Sequence, residues 1–132
     1  MSKKNFSRNI SPNLKDAHYF CLECKKIFET RAYRIVKCPK CDSNIFVGAT
    51  YNGWNYYLEK KYVSEIEIGD IILMRSDMKY HDVLNIEEYD DELYKIALEG
   101  YGVLKLEGDD FVECSNGIWD DNDKPWENFD LE

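Results

Sequence analysis

From residue 62 onward, short runs of alternating apolar and polar residues are separated by turn-forming residues. The runs are Tyr62–Ile68, Ile71–Arg75, Asp82–Tyr89, Leu93–Leu98, Val103–Leu106 and Phe111–Cys114. The breaks are Gly69-Asp70, Ser76–His81, Asp90-Asp91, Glu99–Gly102 and Gly108–Asp110. Ser64/Ile66/Ile68, Leu84/Ile86 and Tyr94/Ile96/Leu98 recur with a period of two, which places each set on one face of a strand. Strands of about five residues at about ten-residue spacing predict a small antiparallel barrel or rolled sheet over 62–115.

Ahead of this region the pattern is different. Residues 1–16 read as a flexible, basic polar arm with isolated apolar residues and a proline at position 12. From His18 to Val47 each of two cysteine pairs is preceded and followed by a short β-prone run, which predicts strand, turn, strand, twice over. Residues 51–61 form an aromatic connector whose Asn52-Gly53 pair marks a turn, and 54–61 is open to either a helix or a strand. Residues 116–132 form an acidic tail containing Trp119, Trp126 and Phe129. Its acids argue against self-sufficient packing, and its aromatic rings argue that it docks somewhere.

The cysteines change the picture most. Cys21 and Cys24 are separated by two residues, as are Cys38 and Cys41, with thirteen residues between the pairs. A two-residue gap lets a tight turn aim both sulfurs at one ion while its backbone N–H groups point back at them. Two such turns complete a tetrahedral shell of four thiolates, a geometry that suits Zn²⁺. Because four protein ligands close the shell to water and substrate, the single metal is expected to be structural. It would supply folding free energy to a segment too small for an adequate core.

On these residues, 17–50 resembles a zinc ribbon with rubredoxin-like, four-cysteine zinc knuckles. The aromatic residues before Cys21, Phe28 after Cys24, and Cys38-Pro39-Lys40-Cys41 followed by Asp42-Ser43-Asn44 and an apolar strand all fit that family. The residue closing each knuckle is often glycine in the family, where φ is positive, and is Lys25 and Asp42 here. The resemblance implies metal and fold, not activity. Val63–Ile72 resembles the strand-turn-strand entry of SH3-like barrels. The expected fold class is therefore mainly β: an N-terminal four-cysteine zinc ribbon followed by a small antiparallel, SH3-like β-domain.

Charge bears on function. Residues 1–50 sum to +6 and residues 51–132 to -15, for a net charge of -9. This asymmetry points to charged partners. No apolar run reaches the length of a membrane span, and the first residues lack the apolar core of a secretory signal, so an intracellular, cytoplasmic location is expected.

The leading functional expectation is a non-enzymatic, zinc-binding adaptor or regulator. Its acidic β-domain and tail would dock on the basic surface of a protein in a nucleic-acid-processing complex, such as the transcription machinery, with Trp119, Trp126 and Phe129 as partner anchors. Small size and bipolar charge also suit a virus-encoded inhibitor that mimics DNA. A second expectation is direct nucleic-acid binding through Lys25, Lys26, Arg31, Arg34, Lys37 and Lys40, interleaved with Tyr19, Phe20, Phe28 and Tyr33. A third is an enzyme centred on His81 or Cys114, although no base or orienting group is evident for either.

Overall fold

The computed structural model describes residues 15–29, 34–90 and 92–132, leaving out the side chains of Lys15 and Asp16. Arg31, Tyr33 and nearly all of the expected arm lie outside the described residues. The chain is mainly β, with strands β1 (Lys15–Cys21), β2 (Lys26–Phe28), β3 (Phe46–Tyr51), β4 (Trp54–Tyr62), β5 (Ile71–Met74), β6 (Lys79–Tyr89), β7 (Leu93–Leu98), β8 (Gly102–Glu107), β9 (Phe111–Ser115) and β10 (Asp130–Leu131). Two compact units emerge. One contains Lys61–Ser115, and the other joins Leu14–Lys60 to Asn116–Glu132. We refer to them as the acidic unit and the cysteine unit. The tail at 116–132 thus belongs with the cysteines rather than with the strands it follows.

In the cysteine unit the strand order is β10-β2-β1-β3-β4. Asn52 (φ 51°) and Gly53 (φ 79°) form the two-residue β3–β4 turn, closed by the Tyr51–Trp54 pair. Positive φ at both central residues matches the twist of the flanking strands. The open question over 54–61 resolves as strand, because Tyr56, Leu58 and Lys60 alternate inward. Lys60 obscures that alternation in the sequence, since its cationic head is fully buried. It donates to the Ile35 carbonyl at 2.9 Å and lies 4.7 Å from the centre of the Tyr19 ring.

Both faces of this sheet are covered. On one face Tyr19, Val47, Ala49 and Leu58 are buried. On the other, the register aligns His18 with Gly48 and Tyr57, and Phe20 with Phe46. The tail covers this second face. Trp126 stacks on His18 at 4.6 Å between centroids and tilts against Phe20 at 5.5 Å, while Phe129 meets Phe20 edge-on at 5.9 Å. Glycine is required at position 48, where a Cβ would collide with the Trp126 ring.

In the acidic unit the order is β9-β5-β6-β7-β8, an open sequence of antiparallel neighbours. Its core gathers Val63, Ile66, Ile72, Met74, Val83, Ile96, Leu98, Leu104, Leu106, Val112 and Cys114. Two expectations fail locally. Val63–Glu65 is a short 3-10 turn rather than part of a strand, so Val63 and Ile66 turn inward and Ile68 is left exposed. In β6, Val83 rather than Leu84 is buried, because the register shifts between Val83 and Asn85. Leu84 is the extra residue of a β-bulge, and beyond it Ile86 packs on the core.

Arg75 and Glu113 form a two-pronged ion pair in the interior of the acidic unit, with Arg75 Nε 2.7 Å from Glu113 Oε1. Burying either charge alone would be costly, so the geometry of the pair is what makes both tolerable.

Candidate metal centre

The first cysteine turn joins β1 to β2. Cys21 ends β1, and Lys25 turns the chain with φ 55° so that Lys26 can pair back with Cys21. The second turn is closed by a Lys37–Asn44 bridge, with Cys38 N–H donating to the Ser43 carbonyl at 2.7 Å and Asp42 N–H to the Cys38 carbonyl at 2.8 Å. Asp42 has φ 65°. Thus the two residues that stand where glycine is common in zinc ribbons both adopt the left-handed conformation, which costs a Cβ-bearing residue about 1 kcal/mol or more. The two turns share one focus.

That focus is the sulfur cluster. The Sγ atoms of Cys21, Cys24, Cys38 and Cys41 all lie within 4.8 Å of one another. Cys21 and Cys41 sulfurs are 3.4 Å apart, and those of Cys24 and Cys38 are 3.9 Å apart. A tetrahedron with metal–sulfur bonds of about 2.3 Å has edges of about 3.8 Å, which these two distances bracket. Backbone N–H groups of Cys24 and Lys40 point at the sulfurs of Cys21 and Cys38, each at 3.4 Å. Such donors stabilise thiolate. The four side chains could therefore hold one metal ion, and the donor set is consistent with zinc.

Ionisation within the cluster is uneven. Hydrogen bonds from the Ser43 hydroxyl and backbone lower the Cys41 thiol to about 6. Its neighbour Cys24 is pushed up to about 12, chiefly by its hydrogen bond to Cys41 and then by desolvation. Burial raises Cys21 as well. Four sulfurs this close cannot all carry negative charge unless a positive ion lies among them.

The residues expected to bind nucleic acid are dispersed in role. Lys25, Arg34 and Lys40 are exposed, whereas Lys26 and Lys37 are half-buried. Lys26 lies 3.9 Å from Asp130, Lys40 lies 3.1 Å from Glu132, and Lys37 donates to Asn44 at 2.6 Å. Tyr19, Phe20 and Phe28 are buried, so these rings build the unit's core rather than a stacking surface. The tail aromatics are likewise engaged within their own unit. Trp126 is 6% exposed, and Trp119 meets it edge-on at 4.9 Å while donating Nε1–H to the Tyr56 carbonyl at 3.0 Å. Trp126 is thus occupied by intrachain packing and is not displayed as an anchor.

His81 and Cys114 lie in the acidic unit. Both are in register with Ile72, from opposite sides of β5, so one strand separates them by roughly 10 Å. Cys114 is 3% exposed within the apolar core. His81 Nδ1 lies 2.7 Å from the Glu99 carbonyl oxygen and Nε2 lies 2.8 Å from Asp77 Oδ2. The buried Arg75–Glu113 ion pair, the Trp126–Gly48 contact and the buried Lys60 are not signalled by any spacing in the sequence.

Among the described residues, no helix is long and apolar enough to cross a membrane. Comparison of the chain with protein-family models, curated proteins and solved structures finds no match. The candidate metal centre therefore stands on its own geometry.

Proposed function

We propose that this protein is a non-enzymatic adaptor or regulator, stabilised by one structural zinc in a ribbon-like pair of knuckles, that docks through its acidic unit on the basic surface of a nucleic-acid-processing protein. The observation that carries this reading is the partition of charge between the units. Lys61–Ser115 contains fifteen acids against five basic residues, a net charge of -10. In the cysteine unit Leu14–Lys60 holds eight basic residues and five acids, and the tail adds six acids and one lysine, leaving -2. The front-to-back asymmetry of the sequence thus becomes one strongly anionic unit and one that is nearly neutral.

The acidic unit also offers contact area. Val103 is 60% exposed and opposes Ala97, which opposes Asn85 next to the exposed Leu84 bulge. Exposed apolar residues on a strongly anionic unit suit an interface in which charge steers encounter and packing supplies lifetime. The engagement of both His81 ring nitrogens and the core position of Cys114 support a non-enzymatic role.

The test is affinity purification of the full chain from its native cell, compared with a Glu87→Lys/Glu88→Lys/Glu92→Lys variant. The expected result is a basic nucleic-acid-processing protein recovered with the wild type, depleted at least about tenfold with the variant, and released by salt. Equal recovery by the variant, or tight binding of purified protein to nucleic acid alone, would overturn the proposal.

A further inference from the structure

The last residues of the chain extend the cysteine unit's sheet. β10 pairs in parallel with β2, aligning Asp130 with Lys26 and Leu131 with Ile27. Asp130 N–H donates to the Lys25 carbonyl at 3.2 Å, and Glu132 N–H to the Ile27 carbonyl at 2.7 Å. The two acids then meet Lys26 and Lys40. This short strand is lightly held: the Asp130 side chain is 85% exposed and Leu131 is 71% exposed. Its secure attachment lies upstream, at Trp126 and Phe129.

We propose that the outer edge of β2, flanked by Lys26 and Lys40, is a docking edge for an extended acidic peptide segment, and that residues 130–132 occupy it as a built-in mimic. A strand edge presents N–H and C=O groups at polypeptide spacing, so main-chain pairing supplies affinity there. Flanking lysines supply sign selectivity for an acid-apolar-acid pattern such as Asp130-Leu131-Glu132. A tethered occupant competes at high effective concentration, which lowers the apparent affinity for a partner by the fraction of time the edge is open. A competing segment need displace only this short ladder and two surface ion pairs while Trp126 stays seated. The ladder favours a peptide over a nucleic acid, because a phosphate backbone cannot reproduce alternating donors and acceptors.

The experiment uses the full chain carrying Asp130→Lys and Glu132→Lys, and in parallel a chain ending at Phe129, so that the result does not hang on one variant. A fluorescent peptide with the sequence of residues 128–132 is titrated by anisotropy, with tryptophan near-ultraviolet dichroism reporting an intact cysteine unit. At least about tenfold tighter binding by the opened variants than by wild type is expected. A probe N-methylated at the amides of its aspartate and glutamate keeps its charge but loses both ladder donors, and should bind neither. The inference is overturned if opened and wild-type proteins bind the peptide equally, if the N-methylated probe binds as well, or if a charge-matched oligonucleotide binds more tightly than the peptide.

Discussion

The two units are both built mainly from antiparallel β-strands but are held together by different physics. The described part of the acidic unit is one stretch of sequence, Lys61–Ser115, whose strands alternate around an apolar core with the Arg75–Glu113 ion pair in the interior. The cysteine unit has two convergent sulfur turns and a cluster of rings centred on Phe20, part of which comes from residues more than a hundred positions away. An ordinary core loses stability by increments when it is altered. A unit organised by a sulfur cluster that could hold a metal and by a distant aromatic plug should lose it in steps.

The largest expected effect is from metal removal. Chelation, or Cys38→Ser, should abolish amide dispersion for residues of the cysteine unit while leaving Lys61–Ser115 native-like, as judged by two-dimensional NMR. Structural zinc contributes on the order of 10–16 kcal/mol of apparent binding free energy at neutral pH, more than a small unit's own stability. Simultaneous loss of both sets of resonances would erase the distinction between the units. Next, Arg75→Ala should destabilise the acidic unit by about 3–5 kcal/mol in urea unfolding, because Glu113 is left charged and buried, whereas replacing both by apolar residues of similar volume should cost far less.

Gly48→Ala should act on the cysteine unit alone. Its methyl group collides with the Trp126 ring, so a loss of about 1–3 kcal/mol and red-shifted tryptophan fluorescence are expected. Unchanged emission would mean that the tail does not pack there. The smallest effect belongs to Ser43→Ala, which removes the hydroxyl that lowers the Cys41 thiol. With its ionisation moved back up toward an ordinary thiol, metal binding must displace more protons at neutral pH. Affinity by chelator competition should fall about tenfold at pH 7, and the deficit should shrink as pH rises.

The sequence is most legible where causes are local. Leu93–Leu98 is read to the residue because Tyr94, Ile96 and Leu98 alternate without interruption, and Asn52-Gly53 declares its turn. The sulfur cluster is equally local, since each pair is fixed by its own two-residue gap. Legibility fails where one residue breaks a period or a partner is distant. Leu84 breaks the period of β6 as a bulge, and Lys60 hides β4 by burying a charge. Trp126 looks like an anchor for a foreign surface because nothing near it in sequence reveals that Gly48 leaves room for its ring. Sheet closure is non-local for the same reason: alternation assigns faces, but not whether the first and last strands meet.

The interrupted chain path of the cysteine unit has a consequence for synthesis. On the ribosome, both sulfur turns emerge before the acidic unit, yet Trp126 emerges only after it. A metal ion could be captured early, while one face of the β1–β3–β4 sheet remains open to solvent until Trp126 and Phe129 emerge. During that interval, His18, Phe20 and Phe46 would be exposed to chaperones and to neighbouring nascent chains, so a ribosome paused before codon 126 should carry its most aggregation-prone intermediate.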